Sequence, residues 1–218
     1  MAGDPAGYVP LEDLLRVLGI IRQYRAMHAY PLSKVTSGVR TMLETEFGVR
    51  APRPAQRFKR TERILNKLIR LPHMRLSQME DIGGCRAVLD TLDDVHAAAT
   101  RIRHRWTHAR VHELISDPKP DGYRALHIIE RRDERLIEVQ LRTFRQHQWA
   151  ELVEFWAGRT GYALKDGHGP ADLRMYFAMA AERLAREDRN EPLDEALENE
   201  FATLRKTVRH YFSSPFRS

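Results

Sequence analysis

The stretch Asp81-Ile82-Gly83-Gly84-Cys85-Arg86-Ala87-Val88-Leu89, DIGGCRAVL, decides how the rest of the chain is read. Its apolar tail has the density of a buried strand, yet it opens on a carboxylate, carries two adjacent glycines and holds an arginine at its middle. Glycine inside a strand costs backbone entropy and leaves nothing to pack, so a pair of them marks a place where another group comes close. The stretch reads as a site as much as a scaffold.

Downstream, "HARVHELIS" reads as a strand and "DPKPDGYR" as a loop, because it holds two prolines and a glycine. "ALHIIE" and "LIEVQL", joined by the polar turn Arg131–Arg135, predict an antiparallel hairpin. Alternation in "LIEVQL" sends Ile137, Val139 and Leu141 to one face and Glu138, Gln140 and Arg142 to the other. The first set suits a core and the second the floor of a cleft. A helix is expected over Asp93–Arg105, and three more over Phe144–Gly158, Ala171–Asp188 and Leu193 to about Phe212.

Upstream, Leu11–Tyr30 has helical spacing, and Ser33 is the expected cap of a second helix running toward Phe47 and stopping at Gly48. The prolines of "VRAPRPAQ" suggest an extended linker, followed by a helix from about Arg57 to Leu71. Between Arg50 and Arg75 nine basic residues face a single acidic one, Glu62. Like charges at that density repel unless an anion is expected.

The chain has 218 residues, 42% apolar and 30% charged, with a net charge of +6 and one cysteine. One domain is the default for that length. The expected division is N-terminal helices over 1–50, a core over 51–160 and C-terminal helices over 161–218. One cysteine permits neither an internal disulfide nor a cysteine-rich metal cluster. Met1–Pro10 has no basic and apolar signal pattern, and no apolar run approaches a membrane span, so a cytoplasmic protein without a membrane partner is expected.

Asp81 and Glu138, with no Cys or His cluster beside them, suit Mg²⁺, a hard cation that takes one or two carboxylates and completes its shell with water and phosphate oxygens. Arg57, Lys59, Lys67 and Arg70, with Arg86, suit a triphosphate, because guanidinium groups bind phosphate oxygens in pairs and stack on bases. In "KPDGYRALH" lie Lys119, Tyr123, Arg124 and His127; an unpacked loop tyrosine would serve as a stacking surface for a base. Together these describe a metal-dependent enzyme acting on nucleotides.

At this point the chain resembles the RelA/SpoT synthetases. "RFKRTERILNKL" is similar to that family's ATP-site helix, "DIGGCRAV" to its first catalytic strand, "KPDGYRALH" to its acceptor loop, and "EVQLRT" with "QWAE" to its second catalytic strand and the following helix. The resemblance covers about Arg57 to Glu151. It implies an α+β, nucleotidyltransferase-like mixed sheet of about five strands flanked by helices. The implied reaction moves the β,γ-pyrophosphate of ATP to a ribose 3′-hydroxyl.

By the same resemblance Asp81 and Glu138 would hold Mg²⁺, with Glu138 accepting the hydroxyl proton. Arg57 and Arg86 would sandwich adenine, and Lys59, Lys67 and Arg70 would hold the phosphates. Tyr123 would stack on the acceptor base, with Lys119, Arg124, His127, Gln140 and His147 around it. Arg63 replaces a serine common in the small synthetases, and Glu154-Phe155 a common Glu-His. No His-Asp dipeptide occurs, nor is there room before Arg57 for the family's hydrolase domain, so a synthetase without an eraser is expected.

"MEDIGGCRAV" and "QHQWAE" are closer to a toxic subgroup that modifies the 3′ end of tRNA, and the basic balance suits RNA. The expected partners are therefore ATP and tRNA, with an antitoxin protein and further copies of the chain compatible with that reading. GDP or GTP as acceptor, giving ppGpp or pppGpp, is the alternative. A non-catalytic RNA-binding module is the runner-up from another class.

Overall fold

The expected hairpin is built by β4 (Leu126–Arg132) and β5 (Arg135–Thr143), antiparallel and in register from Leu126 opposite Leu141 to Arg132 opposite Arg135. Asp133 and Glu134 form its two-residue turn with φ of 46° and 60°, the left-handed pair that matches strand twist. Lys34 reaches the turn, its Nζ 2.9 Å from Asp133 Oδ2. In this computed structural model residues 10–213 are described. Met1–Val9, and with them the reading of a leader, lie outside the described residues, as do 214–218.

The other strands are β1 (Ala55–Phe58), β2 (Gly83–Leu89) and β3 (Arg110–Glu113), and the sheet order is β1-β2-β5-β4-β3. β2 and β5 pair in parallel, and the other neighbours are antiparallel. The fifth strand comes from a segment expected to be linker and helix. "AQRF" instead pairs with β2, placing Arg57 opposite Gly84. Pro52 and Pro54 keep residues 51–54 out of regular structure, and the four residues that follow pair with the open edge of β2.

Eight α-helices flank the sheet among the described residues: α1 (Leu11–Ala26), α2 (Ala29–Phe47), α3 (Thr61–Arg70), α4 (Leu92–Arg105), α5 (Phe144–Thr160), α6 (Ala171–Asp188), α7 (Glu195–Thr207) and α8 (Arg209–Ser213). The break between the first two falls at Met27-His28, so Ser33 lies inside α2 rather than capping it. Pro31 sits in the first turn of α2, where its missing N–H leaves no helical bond unmade. α3 begins at Thr61, so Arg57 and Lys59 precede the helix expected to carry them.

Ile137, Val139 and Leu141 are fully buried with Cys85, Ala87 and Leu89 against α2 and α4. Thr91 caps α4 by accepting from Asp94 N at 3.1 Å, and Arg103 and Arg105 complement its C-terminal dipole. A second cluster joins Tyr123, Trp149, Leu173 and Phe177 between α5, α6 and the loop before β4. A third joins Ile21, Ile64, Met79 and Ile82. Ile64 anchors α3 there, and truncating such a side chain to alanine costs about 2–5 kcal/mol. The sheet face opposite α2 and α4 carries the candidate site. Among the described residues no helix is long and apolar enough to cross a membrane.

Candidate active site

Two rows of residues cross that face. Arg57, Gly84 and Glu138 are successive partners across β1, β2 and β5, and Arg86, Gln140 and His127 are successive partners across β2, β5 and β4. The strand pleat puts both rows on one side. Arg57, Asp81, Gly84, Arg86, Glu138 and Gln140, with Cys85, line a cleft of about 50 Å³. Burial pushes the Cys85 thiol up to about 12, so it offers no thiolate at neutral pH.

The opening glycines now have a physical account. A Cβ on Gly84 would lie 2.6 Å from the backbone oxygen of Glu138, and one on Gly83 would lie 3.2 Å from the Cβ of His28. The close neighbours are protein: β5 on one side and the α1–α2 junction on the other. His28 is buried there, its Nδ1 donating to Tyr24 O at 2.9 Å.

At one end of the cleft Asp81 sits in the turn before β2. Lys59 Nζ lies 2.6 Å from its Oδ2 and Lys67 Nζ 3.0 Å from its Oδ1. Burial works to raise the pKa of this carboxyl, but the two ammonium groups outweigh it and hold the value below the ordinary range. Of the basic groups expected on one helix, Arg57 and Lys59 reach the cleft from β1 and the residue after it, and Lys67 reaches it from α3. Arg63 and Arg70 lie on the exposed side of the helix.

Toward α5, Arg86 Nη1 is 2.9 Å from both His147 Nδ1 and Glu151 Oε1. The structure therefore groups His147 with Arg86 rather than with Gln140 and His127. Glu154 lies three residues beyond Glu151 on α5. Burial would raise its carboxyl, but Lys165, paired with it at 3.1 Å, and the charges of Arg57 and Arg86 bring it below the ordinary value. Lys165 was not singled out from sequence, and Glu151 entered only as the last residue of "QWAE". Lys165 carries no local motif and meets Glu154 only because the segment after α5 folds back on that helix.

At the other end Glu138 is deeply set. Its Oε1 lies 2.9 Å from His127 Nδ1, and its Oε2 accepts from Gln140 Nε2 at 2.6 Å. Burial pushes this carboxyl up, but His127 and Gln140 outweigh it and the net shift is downward, with Asp81 opposing. Asp81 and Glu138 thus feel each other across the cleft. No cluster of three or more His, Cys, Asp or Glu side chains suited to a metal occurs among the described residues. The donor set on offer is this pair of hard carboxylates.

Two expectations on the "KPDGYRALH" loop need correction. Tyr123 is not an exposed stacking surface: it is 8% exposed and tilts against Trp149 at 6.4 Å. Its hydroxyl is 2.7 Å from His127 Nε2 and accepts from Arg142, while Lys119 Nζ lies over its ring at 5.1 Å. The cause is Gly122, with φ of 89°, where a Cβ would lie 2.6 Å from that of Ala181. The loop docks that tightly on α6 and carries the tyrosine into the second core. Arg124 leaves the site altogether, its Nη2 pairing with Glu182 on α6 at 2.7 Å. In extended chain, neighbours of a buried ring point the other way.

Arg142, read from sequence only as part of the polar row, is 4% exposed and donates to both Tyr123 Oη and Gln140 Oε1. With the cleft's acidic pair, its basic wall and this buried network in place, comparison with known proteins is informative. The family described as a region found in RelA / SpoT proteins matches residues 56–157. This segment is a RelA/SpoT region.

The RelA/SpoT region holds every cleft residue named above except Lys165. An uncharacterized protein of Mycobacterium tuberculosis strain H37Rv is 31% identical over 120 residues, 54% of this chain and 44% of that protein. GTP pyrophosphokinase of Escherichia coli K12 is 24% identical over 201 residues, 86% of this chain and 26% of that protein. The chain thus spans less than half the length of these relatives. In fold it matches the crystal structure of small alarmone synthetase 2 from Bacillus subtilis, with a TM-score of 0.63, 23% identity, and coverage of 78% of this chain and 94% of that one.

Proposed function

We propose that the protein is a pyrophosphokinase that moves the β,γ-pyrophosphate of ATP to a ribose 3′-hydroxyl and leaves AMP. The observation that carries this reading is the facing pair Asp81 and Glu138 in a cleft whose two lysines already grip one of them. The RelA/SpoT region supports it. Asp81 and Glu138 fit Mg²⁺ in donor type and number, leaving further positions for water and phosphate oxygens. When bound, the ion would neutralise charge on the transferring group.

The chain's own groups would do the rest. Arg57 and Arg86 line the wall where adenine would lie. A polyphosphate would draw Lys59 and Lys67 away from Asp81 and free that carboxylate. Glu138, held ionised, would take the proton of the attacking hydroxyl at one of its oxygens. The acceptor loop contributes through the hydroxyl of Tyr123 and through His127, and its ring face opens only if Lys119 moves. Arg124, turned toward Glu182, takes no part in this reading.

For the acceptor, the exposed Arg50, Arg53, Arg60 and Arg63 beside the β1 edge favour tRNA, since phosphate neutralisation supplies most sequence-independent RNA binding. In this reading the protein halts translation, and an antitoxin partner follows. The name of the Escherichia coli relative favours the second reading, a guanine nucleotide acceptor. The deciding experiment incubates the protein with γ-labelled ATP, Mg²⁺ and GDP, GTP or bulk tRNA. Label on tRNA, weakened and less salt-dependent in Arg50→Ala/Arg53→Ala, supports the first reading, and label on GDP or GTP alone supports the second. ATP left intact with every acceptor leaves a binding module.

A further inference from the structure

The polar groups around Glu138 close into a ring. Arg142 Nη2 donates to Tyr123 Oη and, at 3.0 Å, to Gln140 Oε1. On one branch Tyr123 Oη lies 2.7 Å from His127 Nε2, and His127 Nδ1 lies 2.9 Å from Glu138 Oε1. On the other, Gln140 Nε2 donates to Glu138 Oε2 at 2.6 Å. Both branches leave one guanidinium nitrogen and end on the two oxygens of one carboxylate.

The direction of each bond follows from Arg142, because a guanidinium only donates. Gln140 must present its oxygen to Arg142, so its amide nitrogen faces Glu138. Tyr123 Oη accepts from Arg142, and the acceptor within reach of its single proton is His127 Nε2. That nitrogen must then be unprotonated, which puts the imidazole hydrogen on Nδ1, facing Glu138. Reversing any one bond leaves two donors or two acceptors opposed in a buried place, with the desolvation of an unsatisfied polar group uncompensated.

We propose that Arg142 is a positioning residue which, through Tyr123 and His127 on one side and Gln140 on the other, sets the histidine tautomer and aims both oxygens of Glu138 into the cleft. Tyr123 acts in this ring through its hydroxyl. The inference rests on Glu138 as the acting carboxylate of the proposed transfer, but its direct readout requires no substrate.

That readout is the side-chain ¹⁵N spectrum of His127 in the ligand-free protein. Wild type is expected to show the Nδ1–H tautomer, while Arg142→Met and Tyr123→Phe shift it toward a mixture. Tyr123→Phe keeps the ring's packing and carries the test should Arg142→Met fail to fold. In transfer assays each variant is expected to lower kcat about tenfold with KM for ATP within twofold. The double variant should be no worse than the poorer single one, since members of one network are not additive. An unchanged tautomer in folded Tyr123→Phe, or losses that multiply in the double variant, overturns the proposal. Absence of transfer by wild type with an intact Nδ1–H signature would count against the proposed function and leave the ring standing.

Discussion

The two ends of the cleft hold their carboxylates in different ways. Asp81 is gripped by two lysines from β1's end and α3, with the three side chains 18–27% exposed. Glu138 is held by neutral or shared hydrogen bonds inside a ring whose members, Glu138, His127 and Arg142, are buried or nearly so. Charge pairing in partial contact with water is screened and can be exchanged for another anion. A buried, direction-specific ring resists exchange because each broken bond strands a polar group. In the proposed reaction the Asp81 end changes partners on binding and the Glu138 end stays as it is.

The most severe test removes the charge that each end holds. Asp81→Asn and Glu138→Gln are each expected to lower transfer by at least about a hundredfold, in line with the loss of a group stabilising developing charge. Circular dichroism should remain that of wild type. Near-normal turnover by either variant would remove that carboxylate from the chemistry.

Next in size is Tyr123→Ala, which separates a buried ring member from a surface stacking platform. Deleting a core aromatic costs about 3–5 kcal/mol, so its urea midpoint should fall well below that of wild type. An unaltered midpoint accompanied by weaker acceptor use would restore the stacking role.

Lys59→Met probes the exchangeable end through acid stability. The Asp81 carboxyl lies below its ordinary value in the folded chain, so the stability it contributes is present above about pH 4 and is lost as pH falls through the folded value. The variant's deficit against wild type should therefore be largest at about pH 6 and shrink toward about pH 2. A deficit constant across that range would mean the pair contributes nothing.

The smallest effect is expected from Arg124→Met. Its partner Glu182 is 36% exposed, so the loss should stay within roughly 1 kcal/mol. Kinetic constants should be unchanged. A raised acceptor KM would return Arg124 to the site.

Much of this arrangement was legible in the residues. The period-two alternation of "LIEVQL" sorted Ile137, Val139 and Leu141 into the core and Glu138, Gln140 and Arg142 onto the cleft side, because strand geometry leaves a side chain only two directions. The glycine pair announced a close approach, and Gly84 against Glu138 O confirms one. The hairpin, α4 and α6 were placed from turn residues and helical spacing within a few positions. Local pattern suffices where the interaction itself is local.

What the tertiary structure alone decided involves partners distant in the chain. "AQRF" is a strand only because β2 offers it an edge, so its prolines suggested a linker. Tyr123 is buried only because Gly122 docks on α6, more than 50 residues away, and Arg124 is turned aside by Glu182 on that same helix. The residue types in the site could be named from the sequence, since their chemistry belongs to single side chains. Which lysine meets Asp81, and which hydrogen of Arg142 meets which oxygen, depends on distances that only the closed fold sets.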